Sequence, residues 1–202
     1  MSLPASDAFT EASDTALTSH TAGGITWVNN SGAFQVKGTT DDIISNSSSN
    51  ETGAHDSTNT YNNNQYAQVK CNATGSGDVG VAVRCASGAT ATYYGFYWGA
   101  TDSYKFKNVA GTWSQLGSTG GAATVGRTYK LVADGTSIYV LENGASFHAS
   151  TTDSSISSGY AGVSGWGIST GRADDFAADN ITVATKAKPI YQRHTLYVWR
   201  SR

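Results

Sequence analysis

Apolar residues recur at every second position through much of this chain, in short runs separated by Gly, Ser, Asn and Thr. Alternation of this kind puts successive side chains on opposite faces of an extended strand. It predicts strands at 25–28, 33–37, 42–44, 65–71, 79–85, 93–98, 103–109, 127–133, 137–142, 145–149, 160–168 and 173–183. Asn143-Gly144 is a type I′ hairpin signal, because both residues tolerate positive φ. Residues 45–64 break the pattern: 14 of these 20 are Ser, Thr or Asn, which predicts a long polar loop. The segments around Asp7-Ala8-Phe9 and Asp174-Asp175-Phe176 resemble one another, so the first and last strands are expected to meet. Strands this short and evenly spaced predict an all-β fold, an antiparallel two-sheet β-sandwich.

The 202 residues suffice for one such sandwich, assigned to residues 1–185, followed by a C-terminal extended arm at 186–202. Charge divides the same way. The arm carries Lys186, Lys188, Arg193, Arg200 and Arg202 and no acid, a charge of +5. Residues 1–185 hold eight basic and fifteen acidic side chains, a charge of −7. No apolar stretch approaches the roughly 20 residues that span a bilayer, which argues against a membrane partner. The N-terminal residues show neither a basic nor an apolar signal region, so the expectation is a chain that starts in a cytoplasm. Cys71 and Cys85 end consecutive strands. Alternation puts Cys71 with Ala67 and Val69, and Cys85 with Val79, Val81 and Val83, and buried free thiols are expected.

Several runs together resemble the concanavalin A-like, or laminin-G-like, jelly-roll domains of bacterial and phage proteins. They are Asp7, Phe9, Leu17, His20 and Trp27 at the start, then 65–69, 80–84, 93–98, 129–133, 138–144, 159–163 and 174–176. The resemblance implies a jelly roll and an architecture that hosts lectins, glycosidases and structural modules.

Catalytic patterns are sparse. Glycosidases of this general fold carry paired carboxylates on one strand, resembling Glu-x-Asp-x-Glu. Here Glu11, Glu51 and Glu142 are the only glutamates and lie in three separate regions. Gly75–Gly80 matches G-x-G-x-x-G, but a strand follows it where the nucleotide fold needs a helix, so it reads as a turn. His20, His55, His148 and His194 lack zinc-ligand spacing. The expected cofactor set is empty. Calcium is the best metal candidate, through Asp7, Asp174, Asp175 and Asp179, with surface acids as the simpler reading.

The densest aromatic run is Tyr93–Trp98, with Tyr94, Phe96 and Trp98 on one face and Tyr93 and Tyr97 on the other. One set must be core. A ligand surface is assigned to Tyr94, Phe96, Trp98, Tyr104 and Trp113, where rings would stack on sugars, with structural packing as the simpler reading. In the arm, Ile190, Tyr191, Arg193, Leu196, Tyr197, Val198, Trp199 and Arg200 are assigned to partner binding by strand addition, the alternative being an edge strand folded back on the chain's own body. Nucleic acid is disfavoured by the acidic body. The leading expectation is a non-catalytic structural or surface-display protein of a bacteriophage virion. It would be held to other virion proteins or to copies of itself by the arm. The alternative is a carbohydrate-binding, lectin-like module that meets surface glycans, with an extracellular location.

Overall fold

The alternating runs form strands in the computed structural model, which describes residues 4–88 and 90–181. In chain order these are β1 (Ala5–Asp7), β2 (Thr15–Ala16), β3 (Trp27–Ser31), β4 (Phe34–Lys37), β5 (Asp42–Asp56), β6 (Gln65–Ala73), β7 (Asp78–Cys85) and β8 (Tyr93–Trp98). There follow β9 (Asp102–Val109), β10 (Thr112–Gln115), β11 (Gly120–Gly121), β12 (Thr128–Asp134), β13 (Ser137–Glu142), β14 (Ala145–Thr152), β15 (Tyr160–Ile168) and β16 (Arg172–Asn180). Two 3-10 turns, at Leu17–Ser19 and Ala22–Gly24, are the helical pieces among the described residues.

The strands pair antiparallel in two layers. One layer runs β14-β13-β12-β6-β16, with β1, β5, β4 and β2 continuing from β16. The other runs β10-β9-β8-β7-β15-β5-β3. The first and last strands do meet: Ala5, Ser6 and Asp7 pair with Ala178, Ala177 and Phe176. Asn143 and Gly144 take φ of 46° and 85°, as the hairpin between β13 and β14 requires.

The polar loop expected at 45–64 is a correction. Residues 42–56 are one strand, whose first part pairs with β4 and whose later part pairs with β3 and β15. It passes from one layer to the other, so polar composition does not mean a solvated loop here. Its hydroxyls have partners inside: Ser45 Oγ lies 2.9 Å from Thr52 Oγ1 and donates to the Gly167 carbonyl at 2.6 Å. At its end, Asp56 accepts from the Thr58 and Asn59 amides, the Asn59 side chain and the Tyr61 hydroxyl.

The main core lies between the layers. Val79, Val81 and Val83 of β7 and Tyr94, Phe96 and Trp98 of β8 face Val69, Tyr129, Leu131, Val140 and Phe176. Phe96 stacks on Tyr129 at 5.7 Å and Trp98 meets the same ring at 5.4 Å. Both cysteines are buried and unbridged. Cys71 joins this core, but Cys85 lies on the opposite face, with Ala82, Tyr93 and Phe106. The reason is a bulge: Arg84 has φ of 53°, and the pairing with β15 slips between Tyr160 and Gly162. One extra residue reverses the alternation after Val83. The arm residues Ile190, Tyr191, Arg193, Leu196, Tyr197, Val198, Trp199 and Arg200 lie outside the described residues.

Candidate functional site

The outer face of the β10–β3 layer carries the second set of aromatic residues. Cross-strand pairing puts Tyr97 opposite Tyr104, Gly95 opposite Phe106 and Tyr93 opposite Asn108, with Trp113 next to Asn108 on β10. Further along, Gly80, Gly162, Ser164 and Gly53 leave this face nearly bare of bulk, while Trp166 and Glu51 stand opposite each other on β15 and β5. Small residues between large ones make a groove.

The layer curls around it. Three strand spacings separate β8 from β5, about 14 Å in a flat sheet. Yet the Tyr93 hydroxyl donates to the Thr52 carbonyl at 3.2 Å, and the Tyr97 hydroxyl to Glu51 Oε1 at 3.3 Å. Those contacts require this face to be concave. Gly53 makes the approach possible, since a Cβ there would meet the Tyr93 ring at 2.7 Å.

The groove has two compartments that share Glu51, Trp113 and Trp166. One, of about 480 Å³, is also lined by Ser31, Ala91, Asn108 and Gly111. The other, of about 390 Å³, is also lined by Asp78, Tyr97 and Tyr104. Trp113 and Trp166 are 37% and 48% exposed. Between them, Ser31 Oγ, Glu51 Oε2 and both amide atoms of Asn108 are buried without a hydrogen-bond partner. Burial and the Glu51 charge raise Tyr93 above the usual phenol range; Ser31 and Asn108 beside its hydroxyl oppose this, but neither closes a bond of good geometry with it. Buried polar groups are nearly always paired, so a cluster of exceptions facing one cavity needs an explanation.

Electrostatically the groove is acidic. Burial, reinforced by Asp78, pushes the Glu51 carboxyl up to about 8, although the Tyr97 hydroxyl opposes this. Burial and the neighbouring Asp102 push Asp78 up to about 6. Burial and the Glu51 and Asp78 charges raise Tyr97 further above the usual phenol range, so it remains a donor.

The sequence-based ligand set divides here. Tyr104 and Trp113 line the groove. Tyr94, Phe96 and Trp98 do not: all three are 0% exposed in the core, which corrects their assignment to a ligand surface. Alternation separates the two faces of β8, and the open one is the face of Tyr97, not that of Tyr94, Phe96 and Trp98. The sequence pattern gives no binding role to Glu51, Asp78, Asn108, Ser31 or Trp166. Trp166 was the findable one, as the single bulky residue in the glycine- and serine-rich run Gly162–Gly167.

Other candidate chemistry lies elsewhere. Asp7 accepts from His20 Nε2, Trp27 Nε1 and the Phe9 amide, while His20 Nδ1 meets Glu11 at 2.7 Å. Asp174 accepts from Asn72, and Asp175 pairs with Lys70 at 3.5 Å. Among the described residues no three His, Cys, Asp or Glu side chains are grouped to hold a metal ion. Ser103 Oγ and His148 Nε2 lie 2.9 Å apart, beside Lys105. Lys105 Nζ donates to the Ile138 and Ala149 carbonyls and to Thr151, so its three protons are all engaged. Burial, with the Lys105 charge, pushes His148 down to about 4. The histidine that pairs with acids is His20, so the acid of a Ser-His-Asp triad is missing at His148 among the described ion pairs.

No family model and no curated protein matches this chain. Solved structures do. A carbohydrate-binding module, CBM66, from Bacillus subtilis superposes with a TM-score of 0.57 at 16% identity, covering 76% of this chain and 92% of its own. A Bacillus subtilis protein of unknown function with a galectin-like fold gives 0.56 at 10% identity, covering 87% and 98%. The lumenal domain of VIP36, in a calcium-bound form, gives 0.50 at 10% identity, covering 90% and 92%. The fold is therefore a concanavalin A-like jelly roll, as the sequence resemblance implied.

Proposed function

We propose that the chain is a non-catalytic glycan-recognition module that binds sugar in the concave groove. The observation that carries this reading is the set of unpartnered buried atoms of Ser31, Glu51 and Asn108 between two half-exposed tryptophans. A sugar presents apolar C–H faces that stack on aromatic rings and a rim of hydroxyls that pair with amides and carboxyls. The fold shared with a carbohydrate-binding module supports the same reading.

Attachment of such a module to a bacteriophage particle rests on the basic, aromatic sequence of residues 186–202, and none of the neighbours named above bears on it. A glycan array tests the proposal. Wild-type protein is expected to bind a defined set of glycans, and Trp113→Ala with Trp166→Ala to lose them while remaining folded. An array with no binding, or binding that survives both substitutions, overturns it.

A further inference from the structure

The two ends of the groove differ in chemistry. One offers the Ser31 hydroxyl and the Asn108 amide; the other offers Glu51 and Asp78, with Asp102 near enough to oppose ionisation of Asp78. Among the described residues no lysine or arginine lines either compartment. We propose that the groove takes an oligosaccharide bearing a free amino group, with its ammonium held between Glu51 and Asp78 and hydroxyls of the adjoining ring paired with Asn108 and Ser31.

This deepens the glycan reading above and rests on it. Carboxyls withdrawn from water without a cation are costly, and they respond by keeping a proton. Here burial holds both acids above their usual range, reinforced by the Asp78 charge at Glu51 and by the Asp102 charge at Asp78. A ligand ammonium supplies the missing charge: it donates to the vacant Glu51 Oε2 and restores both groups to carboxylates. Tryptophan faces also attract cations, and Trp113 and Trp166 border the compartment. A uronic or sulfated sugar would bring a like charge to this wall. The acids do not carry the argument alone. Asn108 is 1% exposed, has both amide atoms unpartnered and lines the adjoining compartment, which marks the groove as a place for a polar ligand.

Calorimetric titration of the full chain at neutral pH, with three oligosaccharides of equal length, tests this. The probes are a glucosamine oligomer, its N-acetylated counterpart and a glucuronic acid oligomer. The glucosamine oligomer should bind about tenfold or more tightly than the acetylated one, the range for a hydrogen bond to a charged group. The uronic acid oligomer should not bind. Glu51→Gln combined with Asp78→Asn should reduce the preference to about twofold or less, since both acids facing the ammonium are gone. Asp175→Asn, an exposed acid on the other layer, should leave it unchanged. If the acetylated or acidic oligomer binds as well as the amine, or the preference survives the combined Glu51→Gln and Asp78→Asn substitutions, the amine assignment is wrong and the glycan reading stands. If none of the three binds, the amine assignment is likewise wrong; an empty glycan array then removes the glycan reading too.

Discussion

β8 has two faces of nearly equal aromatic content and opposite use. Tyr94, Phe96 and Trp98 point into the space between layers and are fully buried. Tyr93 and Tyr97 point the other way: Tyr97 lines the open groove and Tyr93 is buried in the cluster beside it. The strand itself does not distinguish these fates; its neighbours do. On β7 the residues paired with Tyr94, Phe96 and Trp98 are Val83, Val81 and Val79, while Gly95 and Tyr97 pair with Ala82 and Gly80. Bulk is continued across the strands on the core side, and withheld on the groove side.

The largest expected effect breaks the inner face. Phe96→Ala should cost about 3–5 kcal/mol of folding stability, because the cavity it leaves is walled by Tyr129, Phe147 and Trp98 and cannot collapse. Denaturant unfolding measures this. A loss below about 1 kcal/mol would show that this face is loosely packed.

On the outer face the same kind of truncation should act on binding. Trp166→Ala removes a ring that is already 48% exposed, so stability should change by less than about 1 kcal/mol. Glycan affinity should fall about thirtyfold or more, as for a central aromatic anchor. The reverse outcome, large destabilisation with affinity intact, would make Trp166 a packing residue and move the site elsewhere.

Most of this contrast was present in the sequence, though not the sign of it. Period-2 alternation resolved the strands and split β8 into its two faces. The Val-x-Val-x-Val run of β7 held the answer to which face was core, but using it requires the β7–β8 register. β5 was illegible for a different reason. Its polar composition looks like a solvated loop, and the partners that satisfy Ser45 and Thr52 come from each other and from Gly167, far along the chain. Glu51 lies in that same stretch, so the site's central acid was hidden with it. Curvature also brings Glu51 to Tyr97, a contact that no local pattern encodes.

A smaller effect follows from pH. Glu51 holds its proton more firmly in the folded chain than in the unfolded one, with its folded value at about 8. The folded state then binds more protons in that range, so stability falls as pH rises from about 4.5 to about 8. Asp78 adds to the fall up to about 6. One such group gives a slope of at most about 1.4 kcal/mol per pH unit. Glu51→Gln should flatten the curve between pH of about 6.5 and 8, above the range in which His148 and His55, held below their ordinary value of 6.5 chiefly by burial, act with the opposite sign. Unchanged curvature in the variant would mean that Glu51 is solvated and ionised.

The cysteines give the finest comparison of the two faces, because each samples one of them. Cys71 packs in the inner core and Cys85 in the outer aromatic cluster, on the far side of the Arg84 bulge. Burial pushes the Cys71 thiol up to about 11 and raises Cys85 as well, so neither forms the reactive thiolate near neutral pH. Intact mass after alkylation should show no label on the native protein and two labels after denaturation without reductant. Slow labelling on the native protein should then favour one cysteine. If the outer cluster opens more readily than the inner core, as a cluster of six buried residues beneath an open groove should, Cys85 is labelled first and a bound glycan slows it. Faster labelling of Cys71, or rates indifferent to glycan, would show that the groove-side cluster is as firmly closed as the core.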